Sequence, residues 1–179
     1  MFWKNRKKEQ ELSRFTGEAT ILMADITKVD KLAETLSPEQ LIDLLRKHIE
    51  KQSSIVSKHG GIVVQFIGSY INALWRDSDH AAQAVKSARE MLAAADERIN
   101  FSIVIATESI AGDFFGPKKQ YQLLGRAMDQ ADRLLKFPLQ RKRSLLLTER
   151  TLSLIGTTDG EYTKVGLLKD QCDVFSLNV

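Results

Sequence analysis

Two small groups of polar residues are the part of this sequence that could do chemistry. Asp25 follows an almost continuous apolar run at residues 19–24, and a carboxylate at the end of a buried strand can hold a divalent cation. Asp129 and Arg133 lie four residues apart in a predicted helix, opposite its apolar stripe, where they could face a phosphate. Plainer interpretations stand beside these. Asp25 could cap the turn that follows it, and the helical pair could be a surface ion pair worth ~0.3–0.5 kcal/mol.

Other common catalytic and metal sites have no signature in the sequence. The three histidines, His48, His59 and His80, lack the short paired spacing of a metal site. There is no glycine-rich phosphate loop and no local signature of a Ser/His/Asp nucleophile. The single cysteine, Cys172, cannot form an internal disulfide, which excludes a disulfide-stapled secreted scaffold.

The composition predicts one soluble globular domain. The chain has 179 residues, of which 43% are hydrophobic and 27% are charged. Residues 1–14 contain five basic and two acidic side chains, so the whole net charge of +3 lies there and the rest is neutral. A neutral body argues against a nucleic-acid partner, which requires a basic face. We expect residues 1–17 to be a basic N-terminal tail and residues 18–179 to be the folded domain.

The same segment bears on the location of the protein. No run of about 18 apolar residues occurs, and the N-terminus lacks the apolar centre of a signal peptide. A cytoplasmic location is therefore predicted. A weaker alternative is peripheral contact with an anionic membrane through Phe2, Trp3 and the basic residues of the tail.

Hydrophobic periodicity predicts the elements that would position these residues. A buried strand at 19–25 is followed by a helix that Ser37, Pro38 and Gln40 open as a capping box and that glycines at 60–61 end. A hairpin at 62–75, a helix at 78–96, a strand at 101–106 and short strands within 107–124 come next. A helix at 126–136 and further strands and a short helix complete the chain. The order predicts an α+β fold with a ferredoxin-like βαββαβ core and a C-terminal αβ extension.

Several of these segments together resemble the class III nucleotidyl (adenylate/guanylate) cyclase catalytic domain. The resemblance runs from about Thr20 to the C-terminus. It is carried by Ala24-Asp25-Ile26, Ser37-Pro38-Glu39, His59-Gly60-Gly61, Gln65-Phe66-Ile67-Gly68 and the run from Gly125 to Leu134. It implies a head-to-tail dimer that binds a nucleoside triphosphate at its interface, where two aspartates hold two Mg²⁺ or Mn²⁺ ions.

The resemblance assigns roles to particular residues. Asp25 matches the first metal aspartate, with the backbone of Ile26 beside it, and Arg133 matches the arginine that stabilises the developing charge. Ser69 stands in place of the second metal aspartate, and a serine is a poor ligand for a hard cation beside a triphosphate. Asp129 replaces the asparagine that orients the ribose.

The remaining nucleotide positions also depart from the family pattern. Gln65 replaces the lysine that reads the base, and Gln122 occupies the second base-reading position. Lys169 is the candidate for the lysine that binds the triphosphate. The Gly-Phe-Thr that follows the first aspartate in the family reads Lys28-Val29-Asp30 here.

These changes predict a weakened site. Ser69 removes a carboxylate, and Asp129 adds a negative charge where an anionic nucleotide would lie and can pair with Arg133. Losing one metal or oxyanion group typically raises the barrier by ~2.7–4 kcal/mol. We therefore predict a catalytically degenerate cyclase-homology domain without a resident cofactor, which acts as a regulatory or protein-interaction module, as a homodimer or with a protein partner. The alternatives are an atypical active cyclase that uses Mg²⁺ or Mn²⁺ with a nucleoside triphosphate, and a non-catalytic nucleotide or ligand sensor.

Overall fold

The computed structural model describes residues 12–137, 143–156 and 161–177. Within these ranges, the chain forms eight strands and five helices. They are β1 (Phe15–Thr27), α1 (Val29–Ala33), α2 (Pro38–Lys58), β2 (Ile62–Ile67), β3 (Tyr70–Trp75), α3 (His80–Ala94), β4 (Asn100–Phe115), β5 (Gln120–Leu124), α4 (Arg126–Leu135), β6 (Arg143–Thr148), α5 (Glu149–Ile155), β7 (Tyr162–Leu167) and β8 (Asp173–Leu177).

One eight-stranded sheet forms the centre of the molecule. Its order is β2-β3-β1-β4-β6-β8-β7, and β5 pairs with β4 outside this path. The β4–β6 pair is parallel and the other pairs are antiparallel. The order β2-β3-β1-β4 is that of a ferredoxin-like βαββαβ unit, and the elements from β6 onward form the C-terminal extension. The predicted fold class is confirmed.

The side chains of the central strand β1 divide between two hydrophobic clusters. Leu22, Ala24 and Ile26 pack with α2 and α3, on what we call the α2 face of the sheet. Ile21 and Met23 pack with α4, on the α4 face. Because strand side chains alternate, Asp25 falls on the α4 face.

Helix α2 begins as the sequence predicts. The backbone N–H of Ser37 donates to Gln40 Oε1 (2.9 Å), and the N–H of Gln40 donates to Ser37 Oγ (3.3 Å), which completes the capping box. The helix ends before Gly60, and a Cβ on the next residue, Gly61, would lie 2.3 Å from the Trp75 ring. Glycine at this position therefore lets β2 leave the helix directly against β3.

The first strand is longer than predicted. β1 begins at Phe15, inside the segment expected to be a polar leader, and Leu12 is only 5% exposed within the α4-face cluster. The Tyr121 hydroxyl donates a hydrogen bond to the Ser13 carbonyl oxygen (2.7 Å), which holds this segment against β5. Pairing with β4 along all of β1 stabilises a strand that its own residues do not predict. Residues 1–11, with Phe2 and Trp3, lie outside the described ranges.

The strand predicted to end near residue 106 also continues. β4 runs without a break to Phe115, and its polar residues Thr107, Glu108 and Ser109 pair with β1. The short strands expected within 107–124 are thus the end of β4 and the strand β5. None of the described helices combines the length and the hydrophobicity needed to span a bilayer.

Candidate functional site

The β2–β3 hairpin brings Ser69 against Asp25. Ser69 Oγ donates a hydrogen bond to Asp25 Oδ1 (2.7 Å), and the backbone N–H of Ile26 donates to the Ser69 carbonyl oxygen (3.2 Å). Gly68, with a φ of +58°, makes the turn before Ser69 in a conformation that glycine adopts without strain. The structure therefore brings together Asp25, Ile26 and Ser69, the three residues that the resemblance places around the metal ions.

This group is poor in ligands for cations. Burial raises the pKa of the Asp25 carboxyl, and the hydrogen bond from Ser69 opposes the rise only in part. The described residues contain no group of three or more His, Cys, Asp or Glu side chains that could hold a metal ion. The group offers one carboxylate, and one of its oxygens already accepts a hydrogen bond from a neutral hydroxyl. Such a ligand set does not fit a pair of divalent ions.

Asp25 also belongs to a polar row that the sequence did not reveal. It lies opposite Tyr70 on β3 and Ser102 on β4, and Ser102 lies opposite Ser144 on β6. The Ser144 hydroxyl donates to Ser102 Oγ (3.1 Å). Directly opposite residues share a sheet face, so hydroxyl groups and no cationic side chain flank the carboxylate in this row. Only the register of four strands reveals this arrangement.

Gln65 reaches the same face because of a bulge in β2. Val63 lies opposite Ala73, but Gln65 lies opposite Asn72, so Val64 is an extra residue in the strand. With regular alternation Gln65 would lie on the α2 face, where Val63 and Ala73 pack. The bulge turns it to the α4 face, half-buried, two residues along the sheet from the Asp25 row.

Asp129 and Arg133 are exposed on α4. The helix starts after Gly125, where a Cβ would lie 2.7 Å from the Ser109 carbonyl oxygen, so glycine allows α4 to start directly against β4. Arg133 Nη1 lies 3.9 Å from Asp170 Oδ1. Within the described residues the recorded ion pair of Arg133 is with Asp170 and not with Asp129, the acid that the sequence suggested.

The β7–β8 turn brings Asp170 to this helix. The N–H of Leu168 donates to the Cys172 carbonyl oxygen (2.8 Å) and closes the turn. Gln130 Nε2 donates to Asp170 Oδ2 (3.2 Å) and fixes the carboxylate. Lys169, next to Asp170, is exposed at the same turn. The turn thus places Lys169 next in the chain to the acid that pairs with Arg133, which the sequence alone could not establish.

Gln122 lies on β5 opposite Asp113 and is half-buried. Its neighbours Tyr121 and Leu123 pack in the α4-face cluster. By alternation, the side chain of Gln122 projects from the other side of β5. No hydrogen bond links it to Gln65 within the described part of the chain.

The predicted site residues thus form two groups. The hairpin group consists of Asp25, Ile26 and Ser69, with Gln65 beside it, and the α4 group consists of Asp129, Arg133, Lys169 and Asp170. Asp25 lies opposite Ser102 of β4, whereas α4 starts against Ser109. Seven residues of extended strand, roughly 23 Å, therefore separate the point of β4 beside Asp25 from the point beside the start of α4. Among the described residues no hydrogen bond or ion pair connects the two groups.

Comparison with known proteins gives a consistent family assignment. The family model described as "Adenylate and Guanylate cyclase catalytic domain" matches residues 12–169. Adenylate cyclase 1 of Rhizobium meliloti is 25% identical over 134 residues, which are 65% of this chain and 20% of that protein. The terminal-differentiation-specific adenylate cyclase of Dictyostelium discoideum is 25% identical over 157 residues, which are 80% of this chain and 7% of that protein. The chain therefore spans a fifth or less of these two relatives.

Solved structures show the same fold. The adenylyl cyclase CyaB from P. aeruginosa superposes with a TM-score of 0.76 at 21% identity, covering 94% of this chain and 97% of that one. A guanylyl cyclase domain from the RhoGC fusion protein of Blastocladiella emersonii, described as a non-canonical dimer, gives a TM-score of 0.78 at 16% identity and covers 93% and 98%. At these identities the likeness concerns the fold.

Proposed function

The chain belongs to the adenylate and guanylate cyclase catalytic domain family, and on that premise we propose that it is a catalytically degenerate member that acts through protein contact. The hydrogen bond from Ser69 to Asp25 is the observation that carries this proposal. Two-metal catalysis needs carboxylates that hold both ions against the attacking and leaving oxygens. Here the second carboxylate is replaced by a hydroxyl that donates to the first.

The charges of the α4 group support the same proposal. Arg133 and Lys169 are offset by Asp129 and Asp170, and Asp170 is held by both Gln130 and Arg133. A triphosphate is a polyanion. The charge that develops on it in the transition state is stabilised by cations that are free to approach it. An electrically balanced group with a partly engaged arginine binds such a ligand weakly.

The separation of the two groups supports a homodimer. The residues that match the first metal aspartate and the arginine of the family, Asp25 and Arg133, lie in different groups. A second copy arranged head to tail would place the hairpin group of one chain opposite the α4 group of the other. Large apolar side chains are exposed on the hairpins that would meet: Phe66 and Tyr70 on β2–β3, and Phe115 and Leu124 near β4–β5. A different protein partner is the alternative occupant of these hairpins.

A turnover assay tests the proposal. The protein is incubated with ATP, GTP, CTP or UTP and Mg²⁺ or Mn²⁺, and cyclic nucleotides are quantified by mass spectrometry. We expect no more product than from the matched Asp25→Ala variant, which measures contamination by host cyclases. Turnover in the unmodified chain that Asp25→Ala abolishes would overturn the proposal and favour an atypical active cyclase.

A second candidate function is nucleotide or ligand binding without turnover. The bulge that turns Gln65 onto the α4 face favours it, because bulges often aim a side chain at a site. Calorimetry with nucleotides and cyclic nucleotides separates this function from a purely protein-binding role. A cytoplasmic location, the absence of a nucleic-acid partner and the division between residues 1–17 and 18–179 stay predictions from the sequence.

A further inference from the structure

The acid that lies beside Arg133 is held by a third side chain. Asp170 Oδ1 lies 3.9 Å from Arg133 Nη1, while the other oxygen, Oδ2, accepts a hydrogen bond from Gln130 Nε2 (3.2 Å). An ordinary surface ion pair joins two mobile side chains, which water and salt separate easily. Because Gln130 engages the carboxylate independently of the arginine, Asp170 stays in place even when its attraction to Arg133 is screened.

Gln130 is the one polar residue among the buried positions of α4. It is only 4% exposed, and the other buried residues of this helix are apolar: Ala127, Ala131 and Leu134. The Oε1 atom of Gln130 is buried and accepts no hydrogen bond from any described residue. A buried amide oxygen without a donor costs stability, so an apolar residue would suit this position better unless the amide has a use. The hydrogen bond to Asp170 is the use that the structure shows.

The β7–β8 turn fixes the backbone of Asp170 as well. Leu168 is buried and Cys172 is half-buried, and both pack in the α4-face cluster on either side of the acid. The N–H of Leu168 donates to the Cys172 carbonyl oxygen (2.8 Å), and the N–H of Gln171 donates to the Leu168 carbonyl oxygen (3.0 Å). Gln171 has a φ of +64°, a conformation that costs energy for a residue other than glycine. The fold therefore holds a strained turn in the position that presents Asp170 to Arg133.

We infer that Gln130 and Asp170 form an autoinhibitory latch, which keeps Arg133 from binding a polyphosphate chain while the β7–β8 turn is in place. This inference rests on the proposed function, a degenerate site that acts through protein contact. Arginine binds phosphate through a planar fork of N–H groups. A carboxylate fixed beside that fork competes with the phosphate for it and repels the phosphate charge. A protein contact that displaces the turn frees the arginine, so the latch couples such a contact to anion binding.

Inorganic tripolyphosphate is the probe, because it carries the charge of a nucleotide without base or ribose. Calorimetry in metal-free buffer at physiological ionic strength, where distant charges are screened, gives its dissociation constant. Asp170→Asn keeps the acceptor for Gln130 but removes the charge, and it should tighten binding by about fivefold, the upper range for a partly exposed ion pair. In an Arg133→Gln background the same substitution should have no effect. Asp132→Asn is the matched control, since it removes an acid that pairs with another cation of α4, Lys136 (2.6 Å), and it should leave the affinity unchanged.

Gln130→Leu tests the positioning role, because it changes no charge. A carboxylate released from Gln130 can be displaced by the polyphosphate, so this variant should also bind more tightly, and it should add nothing to Asp170→Asn. Unchanged affinity in Gln130→Leu, equal tightening in Asp132→Asn, or no binding of tripolyphosphate by Asp170→Asn overturns the inference and leaves the degenerate-cyclase proposal intact. That proposal is tested by the turnover assay alone, since tripolyphosphate has no ribose and cannot be cyclised.

Discussion

At the scale of single residues, the contact between Ser69 and Asp25 decides what the hairpin end can bind. Exchanging the serine for an acid should create the missing ligand. In Ser69→Asp, two carboxylates would lie side by side without a donor between them, and like charges at this distance destabilise the fold. In EDTA we expect Ser69→Asp to have a lower melting temperature than the unmodified chain. Mn²⁺ should raise the melting temperature of the variant by more than it raises that of the unmodified chain.

Ser69→Ala is the matched control for this prediction. It removes the hydrogen bond to Asp25 but adds no carboxylate, so its melting temperature should not respond to Mn²⁺. An equal response of the alanine and aspartate variants would show that Asp25 alone accounts for the binding of the ion.

The environment of Asp25 makes stability depend on pH. Burial raises the pKa of this carboxyl in the folded protein above its ordinary value of 3.8. The folded state therefore holds the proton more tightly, and the stability contribution of Asp25 is lost as the pH rises through the folded pKa. In EDTA, Asp25→Asn should be more stable than the unmodified chain at neutral pH, and this advantage should shrink as the pH falls through the folded pKa and be absent well below pH 3.8. Urea unfolding at several pH values measures it; an advantage that grows in acid contradicts the account.

The site residues were predictable from the sequence to different degrees. The family resemblance implied that Ser69 and Asp25 lie together, as their hydrogen bond shows, whereas the local order of the chain around Gly68 predicted only the hairpin. Asp170 could not be predicted, because its contact with Arg133 depends on a turn that lies 37 residues further along the chain. The Ser102–Ser144 pair likewise arises from a parallel strand register that no short motif encodes.

At the scale of elements, the start of α2 offers a direct test of local stability. Ser37 caps the helix with its side chain, and replacing such a cap by alanine typically costs about 1 kcal/mol. Ser37→Ala should therefore lower the free energy of unfolding by about that amount in urea titrations. Ser54→Ala is the control, since Ser54 is exposed within the same helix. A loss as large in Ser54→Ala would mean that the cap is not the cause.

Elements with strong local signals were predicted well, and those held by distant partners were not. The capping box of α2 predicted the first residue of this helix correctly. The lengths of β1 and β4 were underestimated, because each strand supplies the hydrogen bonds that extend the other across residues of low strand propensity. A pattern within ten residues carries no information about such a partner.

At the scale of the whole molecule, the proposed dimer depends on the exposed apolar side chains of the hairpins. Replacing both Phe115 and Leu124 by serine should remove apolar contact area and shift the protein towards monomer in sedimentation analysis. Leu154→Ser is the matched control, because Leu154 is also exposed but lies on α5. Dissociation caused by Leu154→Ser, or a dimer that survives the double substitution, would contradict this arrangement.

The packing of Leu12 and Ser13 against the β4–β5 hairpin has a practical consequence for anyone who expresses the domain. A polypeptide trimmed to start at residue 18 would lose residues 15–17, which are the β1 residues that pair with β4 beyond Ser109, and the Tyr121 hydroxyl would lose its acceptor. Such a shortened protein would carry an uncovered sheet edge and a strong tendency to aggregate. Recombinant versions that begin at or before residue 12 avoid that outcome.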